Sequence, residues 1–108
     1  MSQLPKLRQE RHEILGHITS IEEMRRGSVT RQFLKSKHKG RTEPILIGPY
    51  ALYTCKKRGK TVGRRLRDQE EIGRLEEQVE KYHVFRRLCS ELVDVSEQIC
   101  DERERQRR

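Results

Sequence analysis

The chain has 108 residues, of which 31% are hydrophobic and 39% are charged, and its formal net charge is +8. A chain of this length and composition makes one small domain, 1–108, with a thin apolar core. Neither a signal peptide nor a bilayer-spanning run is present, so we expect a cytoplasmic protein with no membrane partner.

The positive charge is concentrated in the middle of the chain. Residues 28–67 contain twelve Lys and Arg against one acid, Glu43. Residues 1–27 sum to +1 and residues 68–108 sum to −4. Because a concentrated positive field attracts polyanions, we expect the middle segment to contact nucleic acid.

Residues 4–26 predict the first helix. Apolar residues recur at three- and four-residue steps, Arg11 fills one gap in that stripe, and Pro5 is acceptable in the first turn. Gly27 follows two arginines and therefore indicates a helix stop. The apolar positions of the stripe are Leu4, Leu7, Ile14, Ile18 and Ile21.

The middle segment, 28–67, predicts a three-stranded antiparallel meander. Residues 29–35, 50–55 and 61–66 have strand composition, and Gly48-Pro49 and Arg58-Gly59 are turn signals. A two-residue turn at Arg58-Gly59 would place Cys55 opposite Val62 and Ala51 opposite Leu66. The face with Ala51, Tyr53, Cys55, Val62 and Leu66 would then pack on the helices, although a one-residue slip would exchange the two faces.

Residues 68–104 predict a second, longer helix, with Asp68 as its cap and 105–108 as a frayed tail. We expect it to pair with the first helix, which makes the fold α+β. The longer helix would extend beyond its partner by roughly 20 Å, since a helix rises about 1.5 Å per residue. The overhang would expose a stripe that favours a homodimer or docking to a larger protein, formed by Leu88, Leu92, Val93 and Ile99. A bend that folds the overhang back is the alternative.

The candidate nucleic-acid-binding residues are the cations of the meander and two tyrosines suited to base stacking. Phe33 is a further stacking candidate. Alternatively, the same run of charges would form a solvent-exposed face that only keeps the protein soluble. The candidate set is Arg31, Lys35, Lys37, Lys39, Arg41, Lys56, Lys57, Arg58, Lys60, Arg64, Arg65, Arg67, Tyr50 and Tyr53.

Other chemistry has little support in the sequence. The three cysteines, Cys55, Cys89 and Cys100, form no C-x-x-C pair, so we expect free thiols rather than disulfides or a metal site. Glu80 and His83 have the spacing of a di-metal helix motif, but the motif occurs once where two are needed. No nucleophile motif is present. We therefore expect no catalytic residue, no metal, no cofactor and no enzymatic activity.

The chain resembles a family of short uncharacterised proteins encoded beside transposases in bacterial and archaeal mobile elements. The resemblance rests on Arg26-Gly27-Ser28 after a helix, on 48–53 (GPYALY) and on Gly59-Lys60-Thr61 before a basic strand and a long closing helix. Many members carry a cysteine cluster between the first two strands, but 34–41 has none here. The resemblance implies a mobile-element setting and no specific activity.

Two functions remain open from the sequence. The first is a nucleic-acid-binding accessory protein, with DNA placed ahead of RNA, that contacts phosphates through the basic hairpin. The second is a helical interaction module whose charge serves solubility or an acidic partner.

Overall fold

The computed structural model describes residues 2–36, 40, 43 and 45–108, and for 34–36 and 45–49 it describes the backbone alone. The elements in chain order are α1 Leu4–Thr19, β1 Ser28–Ser36, β2 Ile45–Lys57, β3 Lys60–Leu66 and α2 Gln69–Gln106. The strands form one antiparallel sheet in the order β1-β2-β3. The prediction of an α+β fold with a basic meander between two paired helices is confirmed.

Two compact units divide the chain and share α2. Met24–Glu80 forms the sheet unit, which contains the three strands and the first part of α2. Met1–Glu23 and Lys81–Arg108 form the helical unit, which contains α1 and the rest of α2.

Helix α1 ends at Thr19, seven residues before the end that the sequence predicted. The hydroxyl of Thr19 donates to the carbonyl oxygen of Gly16 at 3.1 Å, and that of Ser20 donates to His17 at 2.7 Å. Hydroxyls that bond to nearby backbone compete with helix continuation. The backbone N–H of Arg25 then donates to the carbonyl of Gln78 at 3.0 Å, which leads the chain into the sheet unit.

The β2–β3 hairpin has the predicted register, with Cys55 opposite Val62 and Ala51 opposite Leu66. Arg58 and Gly59 have φ values of 52° and 80°. Positive φ at both central residues is the type I′ geometry of a two-residue hairpin turn. The prediction of a tight turn at this position is confirmed.

Strand β2 begins at Ile45 and not at Tyr50, because Gly48-Pro49 lies within the strand rather than in a turn. The pairing with β1 shifts between Gln32 and Leu34, which places Phe33 opposite two residues of β2. Such a bulge leaves one residue out of the ladder, and a proline without an N–H is tolerated there.

The core of the sheet unit lies between the sheet and the start of α2. Ala51, Leu66, Ile72 and Leu75 form one buried cluster, against which Val29 and Tyr53 pack. The carboxylate of Asp68 accepts the backbone N–H of Glu70 at 3.1 Å, so the predicted cap begins the helix. Val62, which was predicted to be covered by the helices, is 49% exposed.

The apolar stripe predicted to be free on the second half of α2 mostly faces α1. Leu88 is buried, as is Val95 on the same side of the helix, and Leu92 and Ile99 are half-buried. Val93 alone lies on another side, and it is 55% exposed. The prediction that α2 extends beyond its partner with a free apolar stripe was wrong, because the sheet covers the start of α2 while α1 lies along its end.

Contacts at the far end of the helical unit establish this alignment. The backbone N–H of Gln3 donates to Glu102 at 3.2 Å, and the amide of Gln106 donates to the hydroxyl of Ser2 at 2.6 Å. Helix α2 ends at Gln106, two residues beyond the end that the sequence predicted.

Candidate nucleic-acid interface

Strand alternation divides the side chains of the sheet between two faces. The helix face, which carries Val29, Arg31, Ala51, Tyr53, Cys55, Arg64 and Leu66, includes the residues buried beneath α2. The open face on the opposite side carries Thr30, Gln32, Tyr50, Leu52, Thr54, Lys56, Thr61, Arg65 and Arg67. The open face thus has three cations and no carboxylate among its residues.

Tyr50 holds two of these cations. The guanidinium carbon of Arg67 lies 5.0 Å from the centre of the Tyr50 ring, and that of Arg65 lies 5.4 Å from it. Cation–π contacts of this kind orient the guanidinium planes and leave N–H groups free to donate. A guanidinium presents paired donors that match two phosphate oxygens. The three side chains therefore form a preorganised cationic cluster on the open face.

The hairpin tip, defined here as Lys57, Arg58, Gly59 and Lys60, adds three exposed cations at one end of the sheet. Lys57 and Lys60 lie directly opposite each other across the two strands. Like charges at opposed positions destabilise a hairpin. A bound anion would relieve that repulsion.

Two arginines of the predicted set lie on the helix face and are paired with α2. Arg31 contacts both carboxylate oxygens of Glu76, at 2.6 and 3.3 Å, and Arg64 contacts Glu71 at 2.9 Å. The hydrogen bond with Glu76, and then its charge, raises the pKa of Arg31. The same hydrogen bond holds the pKa of Glu76 below its ordinary value. Arg31 and Arg64 therefore hold the sheet to α2.

Tyr53, predicted to stack on bases, also lies on the helix face. Its hydroxyl donates to the backbone carbonyl of Arg26, and its ring packs against the core cluster. Burial raises the pKa of Tyr53, and the neighbouring Cys55 raises it further. Of the two predicted tyrosines, Tyr50 is thus the one available to a ligand, and Phe33, opposite the bulge of β2, is exposed.

The rest of the predicted set belongs to the connection between β1 and β2. Lys37, Lys39 and Arg41 lie outside the described residues, as does the side chain of Lys35. Among the predicted cations whose side chains are described, those available to a ligand are Lys56, Lys57, Arg58, Lys60, Arg65 and Arg67. The sequence prediction also included Arg31 and Arg64, although strand alternation in the predicted register already places Arg64 on the same face as Leu66.

Other kinds of site find no support in the described part of the chain. It contains no group of three or more His, Cys, Asp or Glu residues placed to hold a metal ion. Cys55, Cys89 and Cys100 are free thiols. No helix within the described ranges has the length and apolar character needed to cross a membrane.

The fold and this face define an α+β protein whose open sheet face, in its described residues, is basic. No family model, no curated protein and no solved structure matches the chain. The resemblance to transposase-associated proteins therefore stays a prediction.

Proposed function

We propose that this chain is a non-enzymatic nucleic-acid-binding protein that contacts phosphates through the open face and the hairpin tip. The proposal is carried by the segregation of charge on the sheet. Arg31 and Arg64 on the helix face are paired with acids of α2. Among the described residues, the cations of the open face and the tip have no acidic partner.

The chemistry of the open face suits a nucleic-acid strand. Arg65 and Arg67 supply paired donors for phosphate oxygens, while the Tyr50 ring that both guanidinium groups contact supplies an apolar surface for a base or sugar. Because the resemblance implies a mobile-element setting, we propose DNA ahead of RNA as the ligand and a cytoplasmic accessory role beside a transposase.

Fluorescence anisotropy with labelled duplex DNA, single-stranded DNA and structured RNA tests the proposal. The variant Arg65→Gln/Arg67→Gln should bind its best ligand at least about tenfold more weakly, which corresponds to about 1.4 kcal/mol. The variant Arg86→Gln/Arg108→Gln removes the same charge from exposed positions in the helical unit and serves as the control. Equal losses in both variants would mean that net charge, and not the open face, drives binding.

A second candidate function is protein binding by the helical unit. A groove of about 410 Å³ between α1 and α2 has a floor formed by Ile14, Leu88 and Val95. Its acidic walls include Glu10, Glu13, Glu91 and Asp94. This arrangement favours a basic, partly apolar segment of a partner, and not the homodimer expected from a free stripe. Sedimentation velocity at micromolar concentrations tests the homodimer directly, since a concentration-independent monomer excludes it.

A further inference from the structure

A second cluster of cations lies in the helical unit, away from the meander. A groove of about 490 Å³ between α1 and α2 is lined by Arg8, Arg11, His12, Ser96, Ile99 and Arg103. Arg11 and His12 come three and four positions after Arg8, so the three residues share one side of that helix. None of the described residues that line this basic groove carries a carboxylate.

The arginines of the basic groove are not neutralised locally. In the part of the chain that the structure describes, Arg8, Arg11 and Arg103 take part in no ion pair. Elsewhere in the helical unit, Arg87, Arg105 and Arg107 each contact a glutamate, whereas Arg86 and Arg108 form no ion pair within the described residues.

The helical unit has no net charge, so its overall charge does not explain this cluster. It contains ten Lys and Arg and ten Asp and Glu. Several of its acids line the other groove. Arg11 occupies a position in the apolar stripe of α1, where packing alone would favour a hydrophobic residue. Charge is thus separated within a neutral unit, and the basic groove keeps a local positive field.

The donors of this groove suit phosphate oxygens. Arginines from both helices line it, together with Ser96 and His12, and a guanidinium group matches two phosphate oxygens. All six lining residues are exposed or half-buried, which suits a phosphate carried on a chain better than an enclosed small molecule. None of the exposed large hydrophobic residues, Met24, Phe33, Val62 and Val93, lines the groove, so no such side chain is placed to enter a lipid layer.

We infer that the basic groove is a second phosphate-binding surface, through which the helical unit contacts the nucleic-acid backbone independently of the sheet. The inference rests on the proposed nucleic-acid binding and adds a contact outside the meander. The absence of an aromatic side chain from the lining makes this contact independent of base identity.

The full-length variant Arg8→Gln/Arg103→Gln tests the inference against the control Arg86→Gln/Arg108→Gln. Glutamine preserves helix propensity, and circular dichroism verifies that each variant is folded. With labelled single-stranded DNA, the groove variant should bind several-fold more weakly than the control. Its salt dependence, as the slope of log K against log salt, should be shallower by about 1.4, since two phosphate contacts are lost. Binding equal to that of the control would overturn the inference.

Nuclear magnetic resonance of the arginine Nε–H groups locates the contact. Addition of single-stranded DNA should shift the signals of Arg8, Arg11 and Arg103, both in the wild type and in Arg65→Gln/Arg67→Gln. If these signals stay fixed while the sheet variant loses affinity, the inference fails and the proposed function stands. If they shift while the sheet variant binds like the wild type, the sheet proposal fails and the groove contact stands. Shifts caused by a phosphoserine peptide or by anionic vesicles, and not by DNA, would overturn the inference.

Discussion

At the residue scale, Gly27 lies where the backbone passes close to β2. Its φ is +125°, and a Cβ there would lie 2.9 Å from the Tyr53 ring, 3.1 Å from the Cys55 Cβ and closer still to the Thr54 carbonyl oxygen. The neighbouring carbonyl of Arg26 accepts the Tyr53 hydroxyl. Gly27 therefore permits a close backbone approach, and its place in the sequence had indicated only a helix stop.

The first prediction concerns glycine-to-alanine substitutions. Gly27→Ala should lower the free energy of unfolding by about 2–4 kcal/mol, because strain at positive φ adds to overpacking against a backbone carbonyl. Gly16→Ala in α1 should instead raise it by about 0.5–1 kcal/mol, since no atom lies within 4 Å of the added Cβ. Urea denaturation measures both changes, and a neutral Gly27→Ala would contradict the close approach.

The ion pair between Arg31 and Glu76 makes a second residue-scale prediction. Because the pKa of Glu76 is lowered in the folded state, its ionised form stabilises the fold above the pKa of the unfolded chain. That contribution is lost as pH falls through the lower, folded pKa. The stability difference between wild type and Glu76→Gln should therefore be largest near neutral pH and shrink in acid.

Urea denaturation across a series of acidic pH values measures this difference. Glu77→Gln is the control, because Glu77 is exposed and forms no ion pair within the described ranges. If the stability difference between wild type and Glu76→Gln stays constant with pH, the ion pair between Arg31 and Glu76 does not stabilise the fold.

At the element scale, the start of α1 is tied to the end of α2. Gln3 stands at the N-cap of α1 without a capping bond from its own side chain. Glu102, which is 6% exposed, accepts the Gln3 N–H and lies near the positive end of the helix dipole. Glu102 thus performs the capping role from another helix, and Arg105 contacts its second oxygen at 3.5 Å.

Glu102→Ala should lower the free energy of unfolding by about 1–3 kcal/mol, because it leaves a backbone donor without its charged acceptor. The same substitution should also increase the hydrogen-exchange rate of the first backbone amides of α1. Glu104→Ala is the matched control, since Glu104 is exposed and, within the described residues, its carboxylate pairs with the exposed Arg107. Equal effects of the two substitutions would argue against a specific cap.

The second half of α2 gives another element-scale prediction. Val95→Lys should destabilise the helical unit strongly, because it buries a charge in the α1 contact. Val93→Lys should change the free energy of unfolding by less than about 0.5 kcal/mol, as expected for an exposed site. Thermal unfolding compares the two, and sedimentation shows whether Val93→Lys alters a self-associated state, which would favour the homodimer.

At the scale of the whole molecule, the net charge is confined to one unit. The sheet unit contains fifteen Lys and Arg and seven Asp and Glu, and thus carries the entire +8. Association with a polyanion should therefore begin at this unit and weaken steeply with salt.

The salt dependence of duplex binding is the corresponding prediction. If about six phosphates are neutralised, log K should fall against log salt with a slope of about −5. Replacing Lys56, Lys57, Arg58 and Lys60 with Ser should weaken binding to every sequence and flatten that slope. A shallow slope for the wild type would favour a protein partner, and unchanged affinity of the folded quadruple variant would exclude the tip.

The sequence alone determined the features that depend on neighbouring residues. The Arg58-Gly59 turn predicted the hairpin register, because positive φ at two adjacent positions selects one turn type. Asp68 predicted the start of α2, because its capping bond is made with a backbone N–H only two residues further along the chain. Alternation then assigned Tyr50, Arg65 and Arg67 to one face.

The tertiary structure decided the features that depend on distant residues. Pro49 lies within a strand because β2 bulges there opposite Phe33 of β1, and the segment that follows α1 is held by the hydrogen bond from Arg25 to Gln78. Arg31, predicted to bind nucleic acid, instead forms an ion pair with Glu76, which lies 45 residues away in the chain. The apolar stripe on α2 is covered because the sheet packs against the first part of that helix and α1 packs against the second part. Such pairings depend on which surfaces meet, and no local pattern in the chain specifies that.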